Sequence, residues 1–295
     1  MGERSKVYMT DLRCRPGVSL LNKLEKLMRT AGIGEINFER KLVAIKMHFG
    51  EPGNLAFLRP NYAKVVADVV KSLGGVPFLT DCNTLYPGRR KNALEHLDAA
   101  YENGFSPLST GCQVIIGDGL RGNDDVEVPV EGAEYIQTAK IGKAIMEADV
   151  IISLSHFKGH EQTGFGGAIK NLGMGCGSRR GKMEQHAQGK PMVAPRRCVG
   201  CRRCATQCAH GAITFGEDRK ASIDWDKCVG CGRCIAVCNT DAIRPGNDAA
   251  MEELGCRMAE YAKAVVDGRP QFHISLVIDV SPYCDCHGDR KSTRL

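Results

Sequence analysis

Fifteen cysteines stand out in this chain of 295 residues, and eight of them fall into two runs of identical spacing. Cys198, Cys201, Cys204 and Cys208 form C-x2-C-x2-C-x3-C, and Cys228, Cys231, Cys234 and Cys238 repeat it 30 residues later. Short steps let three thiolates wrap one iron–sulfur cube, and in two-cluster ferredoxins the fourth cysteine of each run crosses to the other cube. That rule assigns Cys198, Cys201, Cys204 and Cys238 to one 4Fe–4S cluster, and Cys228, Cys231, Cys234 and Cys208 to the second. Structural zinc sites use paired C-x2-C steps with longer gaps, four ligands per ion, so two matched four-cysteine runs favour iron–sulfur. The Pro that usually follows the fourth cysteine is Ala209 in one run and Asn239 in the other. That residue shapes a turn and binds no iron. Two clusters of this kind predict electron transfer.

Arg196, Arg197, Arg202 and Arg203 crowd the first run. They are either a solvated patch that offsets cluster charge or a docking surface for an acidic redox partner protein.

A second constellation lies upstream. Ser155-His156-Phe157-Lys158-Gly159-His160 leads into Gly164-Phe165-Gly166-Gly167 and then Lys170-Asn171-Leu172-Gly173-Met174-Gly175-Cys176. A Gly-rich turn entering a helix offers amide donors and a positive dipole to an anion. Gly164, Gly166 and Gly167 are the candidate cofactor-binding glycines, and His156, His160, Lys170 and Cys176 the candidate reactive groups. The plainer reading has the histidines satisfying backbone carbonyls and Cys176 acting as a small buried hydrophobe. His48-Phe49-Gly50-Glu51 and Asp81-Cys82-Asn83 each follow a strand pattern, which adds His48 to the candidates. Cys284-Asp285-Cys286-His287 follows the last strand, so Cys284 and Cys286 are possible extra ligands or a redox pair. A further metal or an anionic ligand is therefore expected at this place, and with it a small-molecule substrate.

The elements that must position these groups alternate. Residues 41–48 (KLVAIKMH) read as a buried strand, and residues 62–73 as a helix opened by Pro60 and closed by Gly74-Gly75. Strands over 76–80 and 113–117 bracket a helix over 91–103. Residues 141–148 read as helical and run into an apolar strand over 150–154. Beyond the cysteines, 248–266 read as a helix and 272–280 as a strand. Such alternation predicts an α/β fold with a mostly parallel sheet. The last helix and strand are too small to bury a core alone. The organisation expected is therefore one α/β domain, residues 1–190 and 247–295. It is interrupted by a small α+β ferredoxin module over 191–246. The 30-residue internal repeat, with Arg203-Cys204 returning as Arg233-Cys234 and Ala212-Ile213 as Ala242-Ile243, marks a duplicated cluster unit.

In a parallel sheet the loops after the strands emerge on one edge. His48, Asp81, His156 and His160 are accordingly expected around one cleft. No nicotinamide fingerprint stands in a strand–turn–helix context and no phosphate-loop motif appears. The formal charge of +6 falls to about +2 once eight thiolates and two oxidised cluster cores are counted. A nucleic-acid role is set aside on that ground. No signal peptide and no run of about 18 apolar residues is present, so no membrane partner is expected and the compartment expected is the cytoplasm. Clustered cysteines in a reducing compartment suit metal rather than disulfides.

The run ending at His186, SHFKGHEQTGFGGAIKNLGMGCGSRRGKMEQH, followed by the double cysteine motif, closely resembles the "domain of unknown function 362" family of uncharacterised iron–sulfur center proteins. His48-Phe49-Gly50-Glu51, Thr80-Asp81-Cys82-Asn83 and Tyr283-Cys284-Asp285-Cys286-His287-Gly288 also look like family motifs. The similarity covers nearly the whole chain. Relatives continue past the Cys-Asp-Cys segment with further strand and helix, so the resemblance implies a chain truncated at its carboxyl end. It supplies no reaction. The leading expectation is an iron–sulfur redox protein whose clusters relay electrons to the Gly/His site, an oxidoreductase if it is an enzyme. A non-catalytic electron carrier or subunit, and a metal or cluster delivery protein, are the alternatives.

Overall fold

The computed structural model describes residues 5–84, 88–160, 162–186, 191–228, 234, 238–240, 242–245, 249–282 and 284–285. Cys231 and Cys286, both ligand candidates, lie outside the described residues, as do Tyr283, His287 and Gly288.

Ser19 opens α1 (Leu20–Thr30) with a capping box. Its hydroxyl accepts from the Asn22 N–H while the Asn22 side chain accepts from the Ser19 N–H. Then come β1 (Leu42–Lys46), α2 (Pro60–Ser72), β2 (Val76–Asp81), α3 (Ala93–Glu102), α4 (Pro107–Thr110) and β3 (Gln113–Ile116). An antiparallel pair, β4 (Asp125–Pro129) and β5 (Thr138–Gly142), precedes α5 (Lys143–Met146) and β6 (Val150–His156). Next are β7 (Lys158–His160), β8 (Gly164–Gly166), α6 (Ala168–Cys176) and α7 (Arg179–His186). The cysteine-rich stretch carries β9 (Pro191–Val193), α8 (Arg203–Thr206), β10 (Ile213–Phe215), β11 (Ala221–Ile223) and β12 (Ile243–Pro245). The helix α9 (Ala249–Val266) and the strand β13 (Gln271–Leu276) follow.

Five strands make one sheet in the order β13-β6-β1-β2-β3, every neighbour parallel. The chain begins at the centre, runs to one edge through β2 and β3, then crosses back for β6 and β13. Strand order therefore reverses between β1 and β6. In open α/β sheets the crevice beyond the carboxyl ends at such a reversal is where ligands bind.

Alternation along the strands sorts the two faces. Val43, Ile45 and Met47 join Val150, Ile152 and Leu154 against Leu24 and Met28 of α1 and Val66 and Val70 of α2. Ala44 and Ile151 turn the other way, onto Leu172 of α6 and Tyr261, Ala262 and Val265 of α9. The fold is a three-layer α/β sandwich around a parallel sheet, as the alternation of elements predicts.

α9 and β13 lie beyond both cysteine runs in sequence yet belong to this core. β13 pairs with β6 from Gln271↔Ile151 to Leu276↔His156. It takes the edge of the sheet rather than an interior position, in keeping with the alternating polar residues Gln271, His273 and Ser275. The helix read over 141–148 is corrected. Residues up to Gly142 form β5, where Ile141 faces Val126, and only Lys143–Met146 is helical. A short apolar run carries no period that separates the two states, and pairing with β4 decides.

Cys198, Cys204, Ile213, Ala221, Cys234, Ala242 and Ile243 form a core cluster of their own. The sequence repeat reappears there as structure. β9 and β11 stand 30 residues apart, and so do β10 and β12. Each strand pairs with one from the other half, β9 with β12 and β10 with β11. Equivalent backbone bonds flank them: Ala194 N–H to Ala242 O at 2.7 Å, and Asp224 N–H to Ala212 O at 2.8 Å.

Candidate functional site

The alternation that turns Ala44 toward α6 turns Lys46 the same way, and Lys46 is 1% exposed at the end of β1. Its Nζ lies 3.0 Å from Asp81 Oδ1 and donates to Asn171 Oδ1 at 2.9 Å. Asn171 Nδ2 in turn donates to Lys46 O at 2.9 Å and to the hydroxyls of Ser153 and Ser155, each at 3.2 Å. The other Asp81 oxygen is 3.6 Å from Arg90, whose Nε donates to Glu51 at 2.7 Å. Burial works to raise the Asp81 carboxyl, but Lys46, His48, His96 and Arg90 outweigh it and hold the group well below the usual carboxylate range.

Two glycines of α6 make room for this network. A Cβ on Gly175 would strike Lys46 Nζ, and one on Gly173 would strike the backbone carbonyl of Met258 in α9. The helix is Gly-rich because backbone approaches a buried side chain on one flank and another helix on the other.

His48 lies in the loop after β1. Its Nδ1 accepts the Gly50 N–H at 2.9 Å, and its Nε2 is buried without a hydrogen-bond partner. Burial, with Arg90 beside it, pushes the ring down to about 3, against Asp81, Asp285 and Cys284, which pull the other way. The ring is neutral at ordinary pH.

His156 is the last residue of β6. Its Nδ1 lies 2.9 Å from both Asp285 carboxylate oxygens, and its Nε2 donates to Ile278 O at 2.7 Å. Lys158 Nζ reaches Asp285 at 3.2 Å. Burial works to raise Asp285, and Lys158 and His156 more than reverse it, so the carboxyl titrates below its usual value. The segment after β13 is pressed onto β7: Gly159 N–H donates to Ser281 O at 2.7 Å, and a Cβ on Gly159 would strike the Pro282 carbonyl. This seating places Cys284 Sγ 2.7 Å from Lys170 Nζ.

The remaining candidates divide. His160 Nδ1 accepts the N–H groups of Gln162 and Thr163. It lies within electrostatic reach of His186, which burial chiefly, with His160, Lys170 and Lys182, holds to about 3. Gly164 and Gly166 build β8, paired with β7, and Gly167 precedes α6. Cys176 is fully buried among Ala44, Ile151 and Leu172, and burial pushes its thiol up to about 11. It occupies the apolar side of the helix, the small-hydrophobe role.

Lys46, Arg90, His96, Asn171 and His186 were not singled out as site residues by type or spacing. Lys46 carried a signal all the same: a lysine at a core position in the middle of KLVAIKMH. His96 is fully buried beside Asp81, with its Nε2 3.8 Å from the carboxylate, and sits mid-helix where no sequence pattern marks it.

Among the cysteines of the two runs, Cys198, Cys204 and Cys234 are buried together with Cys208 and Cys238 packed against them, while Cys201 is exposed. Backbone donors aim at sulfur. Ala221 N–H donates to Cys198 Sγ at 3.4 Å and Ala212 N–H to Cys208 Sγ at 3.3 Å. At Cys238 burial works against ionisation, but amides of Ile243, Thr240 and Ala242 prevail and lower the thiol. Among the described residues no three His, Cys, Asp or Glu side chains converge as a single metal ion requires.

Comparison with known proteins adds a family. Residues 43–294 match the model of the Domain of unknown function (DUF362). The chain belongs to that family. The thylakoid-associated protein sll1697 of Synechocystis sp. is 29% identical over 163 residues, 54% of this chain and 46% of that protein. The chain thus matches less than half the length of this curated relative. Among solved structures, the lactate racemase apoprotein from Thermoanaerobacterium thermosaccharolyticum is similar over 81% of this chain and 51% of its own, at 12% identity and a TM-score of 0.37. No helix among the described residues of this family member is long and apolar enough to cross a membrane.

Proposed function

We propose that this protein is an iron–sulfur redox protein whose two 4Fe–4S clusters relay electrons to the crevice at the ends of β1 and β6. The observation that carries the reading is the exchange of strands between the two cysteine-bearing halves. β9 pairs with β12 and β10 with β11, so each half completes the other. Pairing of this kind holds the two runs in one unit, as a fourth cysteine that crosses to the other half's cluster requires. The donor set fits the group: thiols gathered in an apolar unit, with backbone N–H groups turned toward Cys198 and Cys208. When bound, the clusters would accept and pass single electrons.

Chain connectivity supports delivery to the crevice. His186, which sits beside Lys170 and His160, is five residues from Pro191 of β9, so their Cα atoms are at most about 18 Å apart. The exposed Arg196, Arg197, Arg202 and Arg203 suit an acidic redox partner protein. A cytoplasmic setting keeps such thiols reduced. A delivery role is less favoured, because Cys82, Cys112 and Cys176 are buried in the apolar cores rather than grouped for transfer.

Anaerobic reconstitution followed by iron and sulfide analysis tests the reading. About eight irons per chain are expected, with low-potential spectroscopic behaviour. Four irons or fewer after full reconstitution would overturn it. Eight irons without any small molecule held by the α/β domain would favour the plain carrier.

A further inference from the structure

Three histidines lie after β1, at the end of β6 and in β7, and the direction of their hydrogen bonds fixes where their protons sit. A backbone N–H can only donate, so a ring nitrogen that receives one must hold a lone pair. His48 Nδ1 receives the Gly50 N–H at 2.9 Å. His160 Nδ1 receives those of Gln162 and Thr163 at 3.2 and 3.1 Å. A neutral ring engaged in this way carries its proton on Nε2. His156 meets acceptors at both nitrogens, the Asp285 carboxylate and the Ile278 carbonyl. None of the three offers an Nε2 lone pair, which is what a metal ion takes from an imidazole. All three are set as N–H donors.

Three carboxylates nearby are each paired with a cation. Asp81 and Glu51 are matched by Lys46 and Arg90. Asp285 is matched by Lys158 at 3.2 Å and lies 2.9 Å from His156 Nδ1. His48 is within electrostatic reach of Asp81 and Arg90 and also of Asp285 and Cys284. Its Nε2 is buried and has no hydrogen-bond partner. A donor left this way is costly unless an acceptor fills the place.

We infer that the crevice binds the oxyanion group of a small acid, a carboxylate or phosphate, through the Nε2–H of His48, and that it is not a metal site. This names the ligand class for the destination of the proposed electrons and rests on that reading only for what happens to the ligand afterwards.

The test is calorimetric titration of the full chain with sodium oxalate and, separately, with inorganic phosphate, before and after anaerobic cluster reconstitution. One of the two probes binds at one per chain, and which one tells carboxylate from phosphate. His48→Phe weakens that binding about tenfold or more, the equivalent of one hydrogen bond lost, while His48→Gln, whose amide keeps a donor, retains most of it. Circular dichroism and thermal melting of both variants establish that each is folded. The inference is overturned by any of three results: neither probe binds the wild type; folded His48→Phe binds as the wild type does; or zinc ion binds at one per chain and His48→Phe abolishes it. Oxalate or phosphate binding by a chain that cannot be loaded with iron leaves the inference standing and sinks the cluster reading. A chain with eight irons that binds neither does the reverse.

Discussion

Lys46 and Asn171 exchange two hydrogen bonds across the seam between the sheet and the Gly-rich helix. Lys46 Nζ donates to Asn171 Oδ1 and Asn171 Nδ2 donates to Lys46 O, each at 2.9 Å. The pair locks α6 in register with β1, and so sets where Lys170, one residue away, meets Cys284.

Breaking this seam from its two ends has unequal consequences. Asn171→Leu removes neutral partners and costs about 1–3 kcal/mol, the price of unsatisfied buried polar groups. Lys46→Met strips Asp81 of its nearest cation and costs about 3–5 kcal/mol, less whatever Arg90 recovers. Urea denaturation of the full chain checks the order. A Lys46→Met variant as stable as wild type would mean that Asp81 does not depend on it.

Two glycine-to-alanine changes separate packing from propensity. Gly173→Ala drives a Cβ into the Met258 carbonyl, a backbone atom that cannot move aside, and costs about 1–3 kcal/mol or more. Gly255→Ala, in α9 with nothing within 4 Å of the new methyl, gains up to about 1 kcal/mol from helix propensity. Thermal melting of the two variants should move in opposite directions. A neutral Gly173→Ala would show that α6 and α9 are not in close contact.

Acid should weaken the protein earlier than its carboxylates alone require. His48 and His186 are each held to about 3, far below the ordinary imidazole value, chiefly by burial. A depressed folded value means that protons bind the unfolded chain first. Their contribution is therefore complete above about pH 6.5 and is lost as pH falls from there toward 3. Urea midpoints measured across that window should decline, and the decline should shallow in His48→Gln and in His186→Gln. A flat wild-type profile from pH 6.5 to 4 would contradict the burial of both rings.

The proposed ligand crossover between the two halves is testable with one residue. Cys208→Ala should damage the cluster assigned to Cys228, Cys231 and Cys234 and spare the one assigned to its own run. Iron analysis near four per chain, with the surviving signal then abolished by Cys201→Ala, is the expected outcome. Survival of the second cluster and loss of the first would reverse the assignment.

Much of the architecture was legible from residues alone. Alternation in KLVAIKMH marks β1, Pro60 and Gly74 bracket α2, and the 30-residue recurrence of cysteine spacing predicts a duplicated unit that the strands β9 to β12 repeat. The short run at 141–148 misled because four to six apolar residues fit a strand or a helix equally until β4 pairs with them. Cys176 looked chemical because of its Gly-rich neighbours, whereas those glycines answer to Met258 and Lys46.

By itself the sequence determined what is local: residue types, strand and helix periods, and the spacing of thiols that suits an iron–sulfur cube. Only the tertiary structure decided the edge position of β13, the partners of Lys46, and the face each imidazole presents. His156 and Asp285 are separated by 129 residues, and Lys46 and Asn171 by 125. Burial and the direction of a hydrogen bond belong to pairs of groups, and when the members are that far apart only the folded sheet brings them together.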